Sequence, residues 1–150
     1  MKSLFIYYSY TGNGDVVAEY FAKHDVALRK VEIKKKLPKS FFWGIMTGGF
    51  LAGIKYKDKL VDFDNVLEGY DRIYIGSPIW NGRFSSALNG MLAKLDLSNK
   101  NVTFVFYAGS GEGKHALKRV KKEYPNASVV FLKEPKKYPE ELNKLNGLFQ

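Results

Sequence analysis

The sequence predicts an α/β fold, a parallel β-sheet covered by helices on both faces. Strand-like and helix-like segments alternate along the chain, the pattern that builds such a sheet. Residues 3–9 and Asn101 to Tyr107 are apolar or aromatic almost throughout, as strands buried on both faces are. Three strand segments end in short, glycine-bearing polar stretches, 9–14, 77–84 and 108–113, and in a parallel sheet such loops leave at one edge. A chain of 150 residues, 45% of them hydrophobic, suits one domain with a core of its own and is too apolar for a disordered segment.

Residues 3–9 form the first predicted strand. Asp15 to Lys23 carries Val16, Val17, Tyr20 and Phe21 at helical spacing, with Asp15 suited to the positive end of the helix dipole. Residues 27–34 alternate apolar and charged from Leu28 onward, which reads as a half-exposed edge strand. The stretch 34–59 is the least regular. Pro38 and Ser40 suit a helix start, and the Gly48-Gly49 pair is expected to break or kink any helix. The aromatic run Phe41 to Phe50 reads as a hydrophobic plug over one end of the sheet, or as a lid or partner surface.

Asp71 to Ser77 is the third strand, expected to stop at Pro78. A loop over 79–84 follows, then a helix capped by Ser85 or Ser86 and running to about Leu95. Asn101 to Tyr107 is the fourth strand, Lys114 to Tyr124 a basic helix closed by Pro125-Asn126, and 127–133 the fifth strand. Pro139 to Leu148 closes the chain as a helix, with Pro in its first turn and Glu140-Glu141 behind it. No internal repeat or low-complexity segment interrupts the order, and the crossovers should be right-handed.

The stretch Ser9-Tyr10-Thr11-Gly12-Asn13-Gly14 carries the first chemical signal. A strand that breaks into a polar turn and then a helix leaves backbone N–H groups unpaired at the dipole's positive end, a place to hold a phosphate. The hydroxyls of Ser9, Tyr10 and Thr11 and the amide of Asn13 add donors; the plainer reading is an ordinary βα turn. Loops 77–84 and 108–113 should converge on the same crevice, adding an exposed-looking Trp80 and a glycine-rich loop that lets backbone approach a ligand. Together they suit a nucleotide-like ligand.

Composition narrows the classes. The absence of Cys excludes disulfides and thiol chemistry and points to a reducing compartment, and the two His, at 24 and 115, make a multi-histidine metal site a poor expectation. The start Met-Lys-Ser leads straight into the first strand, so no signal peptide is expected, and Phe41 to Ile54 is too short for a membrane span. A cytoplasmic protein is the expectation. The formal charge of +9 suggests attraction to acidic partners or polyanions, or a lysine-solvated surface. The cluster Lys114, Lys118, Arg119, Lys121, Lys122 and the run Lys133 to Lys137 match no nucleic-acid motif and read as solvated faces.

These residues resemble the flavodoxins, in particular the short-chain ones. The phosphate loop of that family reads Thr or Ser, any residue, Thr-Gly-Asn, then Thr or Ser; here it is Ser9 to Gly14. Gly76-Ser77-Pro78-Ile79-Trp80-Asn81-Gly82-Arg83 is similar to the Gly-Ser-Pro-aromatic-Gly segment of many flavodoxin-like proteins, and Ala108 to Gly113 stands where the family has its second flavin loop. The resemblance covers essentially the whole chain in element order. It implies a single flavodoxin-like domain over 1–150, three-layer α/β/α, with a five-stranded parallel sheet in the order 2-1-3-4-5 and a bound FMN.

Carried over by position, Ser9, Tyr10, Thr11, Gly12, Asn13 and Gly14 would hold the phosphate. Pro78, Ile79, Trp80, Asn81 and Gly82 would flank the isoalloxazine, with Trp80 stacked on it. Ala108, Gly109, Ser110, Gly111 and Glu112 would meet the pyrimidine edge. Gly82 or the Asn81–Gly82 peptide would be the one that turns beside the flavin N5 on reduction. The chain departs from the family at Gly14, which replaces a hydroxyl residue, and in its basic charge, where flavodoxins are typically acidic. The resemblance implies a low-potential electron carrier serving redox proteins, here ones of acidic surface. An FMN-dependent NAD(P)H:quinone-type reductase and a flavin-free binding domain are the alternatives.

Overall fold

The computed structural model describes residues 2–34, 46–51 and 56–150. In chain order the elements are β1 (Ser3–Tyr7), α1 (Asn13–Ala22), β2 (Ala27–Lys30), α2 (46–51), β3 (Arg72–Trp80), β4 (Arg83–Phe84), α3 (Ser86–Leu92), β5 (Asn101–Ala108), α4 (Lys114–Glu123) and β6 (Ser128–Lys133). A 3-10 helix, Pro139–Phe149, closes the chain. The sheet runs β2-β1-β3-β5-β6 with every neighbour parallel, and β4 folds back antiparallel on β3. With β4 set aside, this is the order 2-1-3-4-5. It reverses between β1 and β3, so the loops that follow these two strands flank the switch point.

Period-two alternation builds two cores. Along β1, Leu4, Ile6 and Tyr8 join one, with Ile73, Ile75, Phe104, Phe106, Leu88 and Met91. Phe5 and Tyr7 join the other, with Val17, Phe21, Tyr74, Val105, Tyr107 and Leu132. That second face is closed by α1 and by Leu145 of the 3-10 helix. Phe21 is fully buried, its ring 4.6 Å from Phe5 and 4.7 Å from Tyr74; burial of such a side chain contributes roughly 1.5–3 kcal/mol.

The structure corrects the sequence expectations at several places. β3 does not stop at Ser77-Pro78 but runs on to Trp80. Its ladder to β1 ends at Gly76, so Pro78 has a parallel neighbour on one side only, the setting in which a strand tolerates proline. Ile79 and Trp80, expected in a loop, are strand residues paired with Phe84 and Arg83. Asn81 and Gly82 form a two-residue hairpin turn with φ of 53° and 67°, the positive pair a type I′ turn demands.

The expected strand 27–34 divides: β2 ends at Lys30, and Ile33 forms an isolated antiparallel bridge with Leu60. Gly48 and Gly49 do not break the helix there; residues 46–51 are helical through both. The expected helix start at Pro38 and Ser40 lies outside the described residues. Ser85 is the cap of α3, accepting from the Leu88 N–H at 3.1 Å, and the helix ends at Leu92 rather than near Leu95. Among the described residues no helix is long and apolar enough to cross a membrane.

Candidate functional site

The carboxyl edge at the switch point gathers the three loops. Loop 9–14 leaves β1 with Gly12 at φ 95°, a left-handed N-cap that glycine adopts without strain, and α1 begins at Asn13. Ser9 Oγ accepts the Gly14 N–H at 3.1 Å, and the Val16 N–H reaches Gly12 O at 3.2 Å. The backbone N–H groups of Thr11, Gly12, Asn13 and Asp15 donate to no protein acceptor among the described residues. These donors sit at the positive end of α1, where an anion is favoured. The one acid of the first turn does not compete, because Asp15 is drawn toward β2: its Oδ1 lies 2.9 Å from Lys30 Nζ and accepts from the Tyr7 hydroxyl at 3.4 Å.

Gly14 has a specific physical cause. A Cβ at this position would lie 2.5 Å from the Tyr107 hydroxyl and 2.9 Å from Ser9 Cβ. Tyr107, near the carboxyl end of β5, is buried and donates its hydroxyl hydrogen to Tyr8 O. A phenol from the sheet therefore fills the space in which a Thr or Ser side chain would stand. Burial pushes the Tyr107 and Tyr8 phenols up and Tyr7 to about 12, where the neighbouring Asp15 also disfavours the phenolate. All three stay protonated through neutral pH.

Across the loop lies a residue from the far edge of the sheet. After β6 the chain returns over α1, and the Lys136 N–H donates to Asn13 Oδ1 at 3.0 Å. Asn13 Nδ2 in turn reaches Thr11 Oγ1 at 3.3 Å. The Lys136 side chain runs over Gly12, with its Nζ 3.4 Å from Thr11 O. Neither Tyr107 nor Lys136 was singled out from the sequence. Lys136 sits in a charge run that reads as solvated surface, and only the knowledge that β6 ends beside this edge gives it another meaning.

The hairpin end is built differently. Trp80 is not exposed: it is 7% accessible and belongs to the core. A Cβ on Gly48 would lie 2.6 Å from its Cε3, so the backbone of α2 rests on the indole face, which explains why the helix keeps a glycine there. The rings of Tyr10 and Tyr8 meet Trp80 edge-on at 5.8 and 6.4 Å. The expected flat platform is thus covered on one face by α2. Beside it, the Ala116 N–H of α4 donates to Gly82 O at 2.8 Å, and Gly113 packs against Ile79. The 108–113 loop is held to this hairpin. In it the Gly111 N–H reaches Ala108 O at 3.2 Å, Gly111 has φ 77°, and Ser110 and Glu112 are joined by a hydroxyl-to-carbonyl bond of 3.2 Å. Ser9 to Gly14, Pro78 to Gly82 and Ala108 to Glu112 therefore lie at one edge, with the first loop tied to the hairpin through Tyr10 and Trp80 and the third through Gly113 and Ala116.

No protein-family profile matches the chain, and no curated protein does. Solved structures do. A candidate flavoprotein from Bacteroides uniformis is 25% identical over 85% of this chain and 86% of its own, with a TM-score of 0.70. One from Bacteroides eggerthii is 20% identical over 97% and 96%, with a TM-score of 0.78. A Lactobacillus acidophilus flavoprotein in complex with FMN is 22% identical over 85% and 89%, with a TM-score of 0.68. With the sheet order above, these likenesses make the fold flavodoxin-like.

Proposed function

We propose that the chain binds FMN and works as an electron carrier of the flavodoxin type. The observation that carries this is loop 9–14: at the start of α1, four backbone donors without an acceptor and no carboxylate turned toward them among the described residues, on a fold shared with a protein crystallised with FMN. The donor set fits a phosphate monoester, since neutral N–H groups at a helix start donate to a charged phosphate oxygen without a titrating side chain. Ser9, Tyr10, Thr11, Gly12, Asn13 and Gly14 would hold the phosphate. Asn81-Gly82 and Ala108 to Glu112 would offer backbone groups to the ring system.

Bound FMN supplies the redox chemistry by taking up and releasing electrons, so the protein needs neither nucleophile nor general acid. Its own residues bind, orient and exclude water. The surplus of Lys over acid opposes a reduced, anionic flavin less than an acidic surface would. The basic face of α4, with Lys114, Lys118, Lys121 and Lys122, suits a redox partner of acidic surface.

Titration of the purified chain with FMN tests the proposal. Stoichiometric quenching of flavin fluorescence is expected, and its absence overturns the reading. Turnover of NAD(P)H with a quinone in the absence of any separate reductase would replace the carrier by a reductase. A second reading has its own observation: α2 already rests on Trp80, which favours a flavin-free domain whose indole packs against protein. The same titration decides between them.

A further inference from the structure

We infer that Lys136 is the cation of the phosphate site and sets the chain's preference for a phosphorylated flavin over an unphosphorylated one. The inference rests on the FMN reading and adds to it a residue that the flavin loops do not contain. Three features of the structure converge on it. The first is position: the side chain is laid over the N-cap, and a Cβ at Gly12 would lie 3.2 Å from Lys136 Nζ and 3.3 Å from its Cδ. The second is support: the Lys136 N–H is fixed to Asn13 Oδ1 at 3.0 Å, so a backbone bond to the loop itself sets where the side chain starts. The third is charge. Among the described residues Lys136 forms no ion pair, and the partner of its ammonium is the Thr11 carbonyl at 3.4 Å, a long contact that leaves two of its three N–H donors uncommitted.

Loop chemistry gives this cation a task. With Gly14 in place of a hydroxyl residue and the Tyr107 hydroxyl donating to Tyr8 O, the loop has one side-chain donor fewer for a doubly charged phosphate. Backbone N–H groups carry only partial charge. A lysine laid over the N-cap, beside Gly12 and the Thr11 carbonyl, supplies a full one. It is also a point charge on a flexible stem, which can follow a phosphate without demanding one geometry.

The test compares FMN and riboflavin, which share the ring system and differ in the phosphate. The chain, Lys136→Met and Lys136→Arg are titrated with each flavin by fluorescence quenching, at low and at high salt. Lys136→Met keeps the stem and removes the charge, and an unchanged thermal melting curve checks that it folds. FMN binding by Lys136→Met is expected to weaken by about 10- to 100-fold, the range for loss of a charge-assisted bond. Riboflavin binding should change less than about twofold, Lys136→Arg should recover most of the loss, and the effect should shrink at high salt. If the unmodified chain binds FMN and Lys136→Met binds it equally well or more tightly, the inference about Lys136 is overturned and the flavin reading stands. If the unmodified chain binds neither flavin, both fall.

Discussion

The two ends of the carboxyl edge differ in what is ready. At loop 9–14 the donors are backbone N–H groups held by α1; among the neighbouring side chains Asp15 turns toward Lys30 and Tyr107 packs under Gly14, while Lys136 lies over Gly12. At the hairpin the group expected to meet a flat ring is a side chain, Trp80, and another segment of the same protein already lies on it. The contrast teaches that a site made of backbone is fixed by local conformation, whereas one made of a side chain depends on which distant segment reaches it first.

Substitutions at the two glycines probe that contrast most directly. Gly14→Thr would drive a side chain into the Tyr107 hydroxyl and Ser9, and overpacking of this kind costs about 1–3 kcal/mol. Urea unfolding measures it. Combining it with Tyr107→Phe, which removes the nearest atom, should recover at least about 0.5 kcal/mol of the sum. Strictly additive effects would show that Tyr107 is not what keeps residue 14 small. Gly48→Val should lift α2 from Trp80 at a cost nearer about 1 kcal/mol, because α2 is short and carries the exposed Met46 and Phe50. Acrylamide quenching of Trp80, read in a Trp43→Phe background since the chain has two Trp, should rise. Unchanged quenching would mean that α2 does not shield the indole.

A finer comparison sets the hairpin turn against the loop. Asn81→Ala puts an ordinary side chain at φ 53° and should lose about 1 kcal/mol, while Asn81→Gly should lose almost nothing. Equal losses would place the cost in the Asn side chain rather than in the backbone. The smallest effect concerns pH. The folded pKa of Tyr7, about 12, lies above its ordinary value of 10.0. Its contribution to stability is therefore complete below pH 10 and lost as the pH rises toward 12. Tyr7→Phe should lessen the slope of the stability curve across that window, the buried Tyr8 and Tyr107 keeping the remainder, and absorbance titration should lose one late-ionising phenol.

The alternation of elements and the three loops were legible because they rest on local pattern (apolar runs, polar turns and helical spacing), whereas the strand order came only with the resemblance to flavodoxins. Asn81-Gly82 carried a legible signal too, since Asn-Gly between apolar residues is the mark of a I′ turn, but Pro78 masked it by suggesting that the strand had already ended. Trp80's burial, Tyr107's place under Gly14 and Lys136's place over Gly12 were not legible. Each depends on a contact between residues far apart in sequence: Gly48 with Trp80, Gly14 with Tyr107, Gly12 with Lys136. The Gly48-Gly49 pair misled for the same reason. Glycine in a helix costs stability by propensity, and here close packing on an indole requires it.

The hairpin turn has a mechanical asymmetry. The Gly82 carbonyl is bound to the Ala116 N–H at 2.8 Å, so the peptide after Gly82 is pinned to α4. Among the described residues the Asn81 carbonyl is met only by the Arg83 guanidinium at 3.1 Å, from a half-buried side chain. The peptide between Asn81 and Gly82 is thus held by a side chain, and the one after it by the backbone of the basic helix.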